Sequence, residues 1–426
     1  MRLFSMTFAG AVFLALPVHA ALAPVPPEQP IVKTLTWDDC VAIALGKNPD
    51  LLSAARASEA SKASYLQSYN GLMPNLTLSD SYNSSKLLNG APNYTAQAAA
   101  NVNLFNAGTI ASIRSNKASF TGSTAALRNE SATLRQALRR AYAQVLSAEK
   151  TVEVNRQIVD MRRTSAQLVT LRYQSGHEYK GNMMEANAQL FQAEAALAQA
   201  FRDLRTARRG LDRQLGLDEF AEITATGALV AAAPPELPRM QDFLEGRPDV
   251  AQQEAVVAGA SAAVLAAESP LFPSLTGNYT RFRSGTAEFP PSGYGWLAGA
   301  TLSYPLFGGG PTSTYYGVKS ARRGLEKSEQ DLRSVRDSAL LDLETSWSSY
   351  ATAVDAVQVD DALLESARQR NAEADIRYAS GLLTFDNWEV IVTERVSAEE
   401  SAIQAQLNAV TAQATWEKSL GRALGE

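Results

Sequence analysis

The side chains best suited to chemistry in this 426-residue chain lie in two short segments, each beginning with an Arg-Tyr-x-Ser-Gly motif. The motifs start at Arg172 and Arg377. The polar groups in and after them are Arg172, Tyr173, His177, Glu178, Lys180 and Glu185, then Arg377, Tyr378, Asp386, Glu389 and Glu394. Such groups form ion pairs and hydrogen bonds worth about 1 kcal/mol each in partly hydrated surroundings. No nucleophile–base pair is visible among them, so they predict polar links between elements and not a reaction.

Composition argues against several other functions. The chain has two histidines, His19 and His177, and one cysteine, Cys40. A histidine metal site, a histidine-based catalytic triad and an intrachain disulfide are therefore not expected, and Met183 and Met184 are too few for a soft-metal relay. The net charge of −5 argues against a nucleic-acid partner. We expect no enzyme activity, no cofactor and no metal, and we expect Cys40 to be a small core residue.

The two motifs belong to an internal duplication that runs along the chain. Four further motifs recur 199 to 205 residues later: Asn48-Pro49-Asp50-Leu51 as Arg247-Pro248-Asp249-Val250, Met73-Pro74-Asn75-Leu76 as Phe272-Pro273-Ser274-Leu275, Leu104-Phe105-Asn106-Ala107-Gly108 as Leu306-Phe307-Gly308-Gly309-Gly310, and Leu215-Gly216 as Leu420-Gly421. A period this long indicates a duplicated domain plan and not a solenoid unit. We place the first repeat at 37–228, a proline-containing linker at 229–238 and the second repeat at 239–426.

Each repeat is predicted to run helix, β-hairpin, very long helix, reversal and long helix. The ranges are 38–70, 75–105, 109–175, 176–181 and 182–216, then 239–268, 274–307, 312–380, 381–383 and 384–421. A helix of about 65 residues is a rod of about 100 Å. Apolar residues in the last helix of the first repeat step by three and four, as in a coiled coil: Leu190, Ala193, Leu197, Ala200, Leu204, Ala207 and Leu211. The heptads alone are equally consistent with a two-stranded coiled coil.

The hairpins alternate apolar residues with small or polar ones. One face of the second hairpin carries Trp296, Ala298, Ala300, Leu302 and Tyr304. Strands of about ten residues with this pattern are typical of a membrane barrel, although a half-buried soluble sheet has the same period. Aromatic residues suited to interfacial girdles are Tyr82, Tyr94, Tyr279, Tyr294, Trp296 and Tyr304. Because four strands cannot close a barrel, membrane strands here would require several chains, of which three are the fewest that leave a pore.

The first residues have the features of a secretory signal peptide at 1–20. Arg2 precedes an apolar stretch at 8–16, and Val18 and Ala20 are small residues at the cleavage positions. Ala21 follows in place of a cysteine, so we expect no N-terminal lipid. A proline-rich leader is predicted at 21–36. After the signal we find no apolar run of the roughly 18 to 20 residues that a membrane helix needs, so the exported chain is either soluble in the periplasm or embedded through strands.

The ordered set of motifs resembles the TolC-type outer membrane factors, the outer membrane efflux protein family. The resemblance covers the mature chain and includes residues 35–45 and 48–51 at the start of the first helix, both Arg-Tyr-x-Ser-Gly reversals, the hairpin boundaries and the duplication. It implies a mainly α fold with a small β part: a long antiparallel coiled-coil α-barrel and four membrane strands per chain, closed as a 12-stranded β-barrel in a homotrimer. It also implies a place in the outer membrane of a Gram-negative bacterium, contact with its lipid, extension into the periplasm, and docking to a periplasmic adaptor protein and indirectly to an inner-membrane pump.

The same resemblance assigns the helix reversals to a gated periplasmic mouth, closed by polar links and narrowed by acidic side chains. Tyr378 falls on the family's gating tyrosine, and gap-free counting puts acidic-ring positions on Asn387, Val390 and Asn182. The candidate gate and constriction residues are Tyr378, Asp386, Glu389, Asn387, Arg377, Arg172, Tyr173, Asn182 and Glu185. The candidate adaptor-docking tips are Gly176, His177, Lys180, Gly381, Leu382 and Leu383. Alternatively, Asp386 and Glu389 belong to a solvated helix end, and Arg172 and Arg377 are charges that favour a helix C-terminus.

The main prediction is therefore a passive channel that carries substrates from a pump and adaptor across the outer membrane. A type I protein secretion duct of the same fold is an alternative that these residues do not separate from it. A periplasmic coiled-coil scaffold without a pore is an alternative from a different class.

Overall fold

The computed structural model describes residues 32–84, 92–218, 222–236, 239–285, 291–305 and 310–426. The predicted signal peptide at 1–20 lies outside these ranges, as do the leader up to residue 31, the last two residues of the linker and residues 306–309 of a repeated hairpin motif. The last residues of the predicted leader form a strand, β1 (Val32–Leu35), which pairs in parallel with β4 (Glu222–Ala225). The sequence patterns did not indicate this small sheet, because four-residue strands have too few residues to set a period.

Seven helices follow in the described residues: α1 (Trp37–Lys47), α2 (Pro49–Ser68), α3 (Ala107–Gln174), α4 (Lys180–Leu215), α5 (Pro248–Glu268), α6 (Pro311–Ala379) and α7 (Phe385–Ser419). The two long rods are confirmed, since α3 has 68 residues and α6 has 69, each about 100 Å. The Asn106 side chain caps α3 by accepting from the Thr109 amide, and Pro311 occupies the first turn of α6.

The first helix of each repeat is not continuous, so the predictions of one helix at 38–70 and one at 239–268 are wrong. Asn48 and Arg247 have extended backbones, with ψ of 121° and 129°, and separate α1 from α2 and a 3₁₀ segment (Met240–Gly246) from α5. Each of these residues precedes a proline, whose ring clashes with a helical conformation of the residue before it.

The predicted coiled-coil seam is buried between α3 and α4. Leu138, Val145, Leu204 and Leu211 belong to one apolar cluster, which also contains Cys40 as predicted. Burial raises the pKa of the Cys40 thiol to about 12, so the thiol is neutral and unreactive at physiological pH. Near the sheet the helices lie in the order α2, α3, α5, α6, and farther away in the order α4, α3, α7, α6.

One helix of the described residues is long and apolar enough to cross a membrane by length and composition. It covers Pro248–Leu271 and has a mean hydropathy of 1.3 over its best window. The prediction of no such run is therefore wrong for this helix. Its apolar character comes largely from alanine, and it packs along α3 at small residues, where Gly122 faces Ala255 and Gly259 faces Ala118. The close packing of α5 against α3 explains why α5 is rich in small apolar residues.

The last helix of each repeat ends against the break in its first helix. Gly216 and Gly421 follow the last helices with φ of 71° and 74°. A Cβ on Gly216 would overlap the Lys47 carbonyl, and one on Gly421 would lie 2.7 Å from Cδ of Pro248. The side chain of Asn48 also donates to the Gln214 carbonyl at 2.9 Å. The duplicated Pro-Asp and Leu-Gly motifs are thus contact partners within each repeat.

We expect Gly216→Ala and Gly421→Ala each to lower the free energy of unfolding by about 2 kcal/mol or more. Positive φ disfavours alanine, and the new methyl group collides with backbone or proline. Thermal unfolding of the detergent-solubilised protein measures the effect. Gly317→Ala is the control, because Gly317 lies in α6 with open space around it and alanine favours a helix there. Equal melting temperatures for the three variants would contradict the packing described above.

The second sheet is antiparallel and has the order β2 (Asn75–Ser84), β3 (Pro92–Phe105), β5 (Ser274–Gly285) and β6 (Gly293–Ser303). The predicted four strands of the two hairpins are confirmed, and β3 joins the two hairpins to each other through β5. The cross-strand register places a set of mainly apolar residues on one side of the sheet, which we call the apolar face. They are Leu76, Leu78, Asp80, Tyr82, Tyr94, Ala96, Ala98, Ala100, Tyr279, Arg281, Arg283, Tyr294, Trp296 and Ala298. The opposite, polar face carries mainly asparagine, serine, threonine, glutamine and glycine.

Candidate functional site

The two Arg-Tyr-x-Ser-Gly motifs end α3 and α6 with the same backbone cap. Gly176 and Gly381 have φ of 77° and 75°. The His177 amide donates to the Arg172 carbonyl at 2.8 Å, and the Leu382 amide donates to the Arg377 carbonyl at 2.8 Å. This pattern is a Schellman cap, in which glycine takes the left-handed position. Both copies of the motif therefore serve to end a long helix, and this shared role is sufficient to explain why the motif occurs twice.

The side chains of the two motifs have different environments. Arg172 lies with its guanidinium carbon 4.9 Å from the ring centroid of Tyr378 and donates to the Tyr378 carbonyl at 2.8 Å. Their repeat counterparts are exposed: Tyr173 is 37% exposed, and Arg377, which lies 3.9 Å from Glu373, is 64% exposed. One repeat thus supplies a half-buried arginine and the other supplies the buried tyrosine.

Tyr378 is the centre of a partly buried group at the helix tips. Its ring is fully buried and stacks on Trp388 at 4.4 Å with the planes 7° apart. Its hydroxyl donates to a carboxylate oxygen of Glu178 at 2.8 Å, and the Asn182 amide donates to the other oxygen at 2.8 Å. The Arg172 Nε lies 3.8 Å from Glu178. We call Arg172, Glu178, Asn182, Tyr378 and Trp388 the tip cluster.

Sequence reasoning selected Tyr378, Arg172 and Asn182 as gate candidates and named Glu178 among the polar groups that link elements, but it did not place Glu178 in the gate and did not select Trp388. Trp388 is almost completely buried, and its indole nitrogen donates to Asp375 at 2.8 Å. The available signal was the tryptophan itself, because a large aromatic residue in the first turn of a helix needs an apolar neighbour.

The protonation states of the tip cluster favour a charge-assisted hydrogen bond. Burial by itself opposes ionisation of Glu178, but the hydrogen bonds from Tyr378 and Asn182, together with the charge of Arg172, lower the pKa of this carboxyl below its usual range. Burial and the Glu178 carboxylate raise the pKa of Tyr378. At neutral pH a neutral phenol therefore donates to an ionised carboxylate, which is a stronger bond than one between neutral groups.

The lowered pKa of Glu178 predicts how the tip cluster responds to acid. A carboxyl whose pKa is lowered in the folded state stabilises it above the unfolded pKa, and this contribution is lost as the pH falls through the folded pKa. We therefore expect the link to be constant between about pH 5 and 8 and to weaken below about pH 4. If the tip cluster closes a channel mouth, as the resemblance implies, single-channel conductance should rise in acid for the wild type and change much less for Glu178→Gln. A rise between pH 5 and 8 would contradict this assignment.

Glu389 is part of an ion pair between α3 and α7. Nη1 of Arg162 lies 2.7 and 2.8 Å from the two carboxylate oxygens, and Nη2 donates to Thr393 at 3.2 Å. Arg162 is 5% exposed and was not singled out from the sequence. The sequence feature that could have identified Arg162 is a charged residue at a heptad position that faces the interior. Glu389, which is predicted to line the constriction, is therefore already paired with a buried cation.

The other predicted gate residues lie at exposed positions. Asp386 and Asn387 are exposed in the first turn of α7, where a negative charge favours the helix N-terminus. Glu185 is exposed and accepts from Gln189 at 2.9 Å.

The predicted docking residues His177, Lys180 and Leu382 are exposed, while Leu383 packs against the apolar cluster below the tips. Among the described residues, no group of three or more histidine, cysteine or acidic side chains is arranged to hold a metal.

The predicted girdle residues fall into levels along the strands. Tyr82 and Tyr94 pair across β2 and β3 with ring centroids 5.2 Å apart, and Tyr294 and Trp296 lie in the next rows of the apolar face. These four residues are near the hairpin turns, and Tyr279 lies closer to the helices. Tyr304 follows β6 at the helix end, where it donates to the Leu271 carbonyl at 3.1 Å. About ten residues separate the outermost levels, which matches an apolar band of about 25 Å for tilted strands.

Comparison with known proteins agrees with this architecture. The sequence profile of a family described as outer membrane efflux protein matches residues 41–217 and 240–426. A membrane protein from Pseudomonas aeruginosa is similar at TM-score 0.81 and 20% identity, over 89% of this chain and 92% of that one. The Neisseria gonorrhoeae MtrE outer membrane channel in its open state is similar at TM-score 0.79 and 21% identity, over 90% and 88%. The Campylobacter jejuni CmeC outer membrane channel gives 0.80 and 14%, over 91% and 86%. A search of curated protein sequences gave no match.

Four strands with one apolar face, continued by two helical rods of about 100 Å, define the class of outer-membrane channels with a periplasmic helical tunnel. Because the profile match covers most of its length, the chain belongs to the outer membrane efflux protein family. It is an outer-membrane exit duct of the kind used by tripartite efflux systems. Members of this family are transport ducts and not enzymes, and they are trimeric channels.

Proposed function

We propose that three copies of this chain form one gated efflux duct in the outer membrane of a Gram-negative bacterium, after removal of residues 1–20. The observation that carries the proposal is the four-stranded sheet, in which β2 and β6 each have one edge without a partner strand among the described residues. Lipid offers no hydrogen-bond partner to such an edge, so β6 of one copy must pair with β2 of the next. Three copies give twelve strands, whereas eight would leave a barrel filled by side chains.

The helices support the same assembly. The polar face of the sheet would line the lumen, and the rods would extend that lumen by about 100 Å into the periplasm. Leu341, Val359 and Leu363 lie on one side of α6 and are more than half exposed in the single chain. An apolar stripe of this kind is typical of an interface, and a neighbouring copy would cover it.

The tip cluster is the proposed latch of the periplasmic mouth. It joins the turn between α3 and α4 to the end of α6 and the start of α7, so outward movement of either helical hairpin must break it. The exposed Leu382, with His177 and Lys180 nearby in the other turn, would dock on a periplasmic adaptor, which in turn contacts an inner-membrane pump. Docking would open the mouth by binding the separated state better than the latched one.

Native mass spectrometry of the detergent-extracted protein tests the assembly. We expect a trimer whose subunits begin at Ala21 and carry no N-terminal lipid. A protein that is soluble without detergent, as a monomer or dimer, would exclude the duct and favour a periplasmic scaffold.

A further inference from the structure

Two arginines lie on the apolar face of β5. Arg281 and Arg283 are both exposed, and the register sets them beside Trp296 and Tyr294 of β6. Neither guanidinium forms an ion pair with another residue in the described part of the chain. The apolar face otherwise consists of leucine, alanine, tyrosine and tryptophan, apart from Asp80 of β2.

The arginines border an open cleft of 500 Å³ on this face. The strand register puts Ala96 and Ala98 of β3 at its floor, between β2 and β5. Leu78 and Asp80 form the opposite wall. Asp80 lies two strands from Arg283, about 10 Å away, so the two cations are not neutralised by direct pairing. The cleft therefore combines an apolar floor with an excess of one positive charge.

The position of the arginines along β5 restricts where they can lie in a membrane. A cation on the lipid face of a barrel costs about 2–4 kcal/mol at the midplane and about 0–1 kcal/mol near the interface. Arg281 and Arg283 lie close to the hairpin turns, at the level of Tyr294 and Trp296, whose amphipathic rings suit the headgroup region. If the helices are periplasmic, this end of the sheet faces the outer leaflet.

We propose that Arg281 and Arg283 bind the phosphate of an anionic outer-leaflet lipid, with an acyl chain of that lipid in the cleft. The inference rests on the proposed function, because it needs the strands to span the outer membrane. Guanidinium groups form paired, charge-assisted hydrogen bonds to phosphate, and the alanine floor leaves room for a chain beside them. Since β5 is an inner strand of the sheet, each chain contains a whole site, and a trimer binds three lipids.

Native mass spectrometry of the full-length trimer, incubated with lipid A that carries two phosphates, tests the inference. We expect up to three bound molecules per trimer and at least a tenfold lower occupancy for Arg281→Gln/Arg283→Gln. Arg322→Gln/Arg323→Gln is the matched control, because these arginines are exposed on α6 and outside the sheet, and we expect its occupancy to be unchanged.

Three outcomes would overturn this inference alone. Equal occupancy in the two double variants would show that Arg281 and Arg283 do not bind the lipid. Displacement of the lipid by millimolar inorganic phosphate would show that the site binds any phosphate anion. A trimer that binds no lipid would overturn the inference while leaving the proposed function intact. A preparation without trimers would contradict the proposed function and this inference together.

Discussion

Replacing Tyr378 by phenylalanine should open the periplasmic mouth. The substitution keeps the ring between Arg172 and Trp388 but removes the hydroxyl that donates to Glu178 at 2.8 Å. A hydrogen bond to a charged group contributes about 2 kcal/mol. Loss of one such bond favours the open state by a factor of about 30 for each chain, and three chains that open together multiply the effect. Single-channel recording in planar bilayers should show long-lived high-conductance states that are rare in the wild type.

The duplication provides a matched control for this prediction. Tyr173 occupies the same position in the other Arg-Tyr-x-Ser-Gly motif, but its side chain is exposed. Tyr173→Phe should leave the conductance unchanged, and Glu178→Gln should resemble Tyr378→Phe. Equal behaviour of the two phenylalanine variants would mean that the tip cluster is not the latch.

Replacing Arg162 by methionine should destabilise the contact between α3 and α7 by about 3 kcal/mol or more. Glu389 would then remain partly buried without its cation, and removal of one partner of a buried pair typically costs about 3–5 kcal/mol. Hydrogen exchange measured by mass spectrometry should accelerate at least 100-fold in peptides around residues 158–166 and 389–396. A methionine keeps most of the volume of the arginine stem, so the effect reports the charge and not a cavity.

Two further variants separate this account from a constriction role of Glu389. Arg163→Met removes a neighbouring arginine whose pairs with Asp160 and Glu194 are solvent-exposed, and it should change stability by less than about 1 kcal/mol. Arg162→Met/Glu389→Leu should recover most of the lost stability, because an apolar pair can replace a buried ion pair. If Glu389 instead faced the lumen freely, Arg162→Met would alter ion selectivity without faster exchange.

The architecture was predictable from the sequence because its signals are periodic. Heptads of leucine and alanine in α4, and the lack of proline in α3 and after the first turn of α6, are local features of single segments. The same holds for the alternation in β3 and β6, whose register put the aromatic and alanine residues on one face. The helix breaks at Asn48 and Arg247 were missed, although the following prolines were the signal for them.

The partners within the tip cluster were not predictable in the same way. Tyr378 and Glu178 are 200 residues apart, and Arg162 and Glu389 are 227 apart, so only the folded chain brings them together. The duplication also misleads at this point, since it suggests that Arg172 and Arg377 are equivalent. The residue of the second repeat that corresponds to Glu178 is Leu383. Tyr378 therefore has an acidic partner, whereas Tyr173 is exposed.

We propose that copies of this chain enclose one continuous pore from the helix tips to the hairpin turns. Insertion of purified wild-type trimers into a planar lipid bilayer tests it most directly. We expect discrete, uniform conductance steps, with one step for each inserted trimer. Trimers that insert into the bilayer but give no conductance steps, even below about pH 4 where the latch weakens, would contradict it.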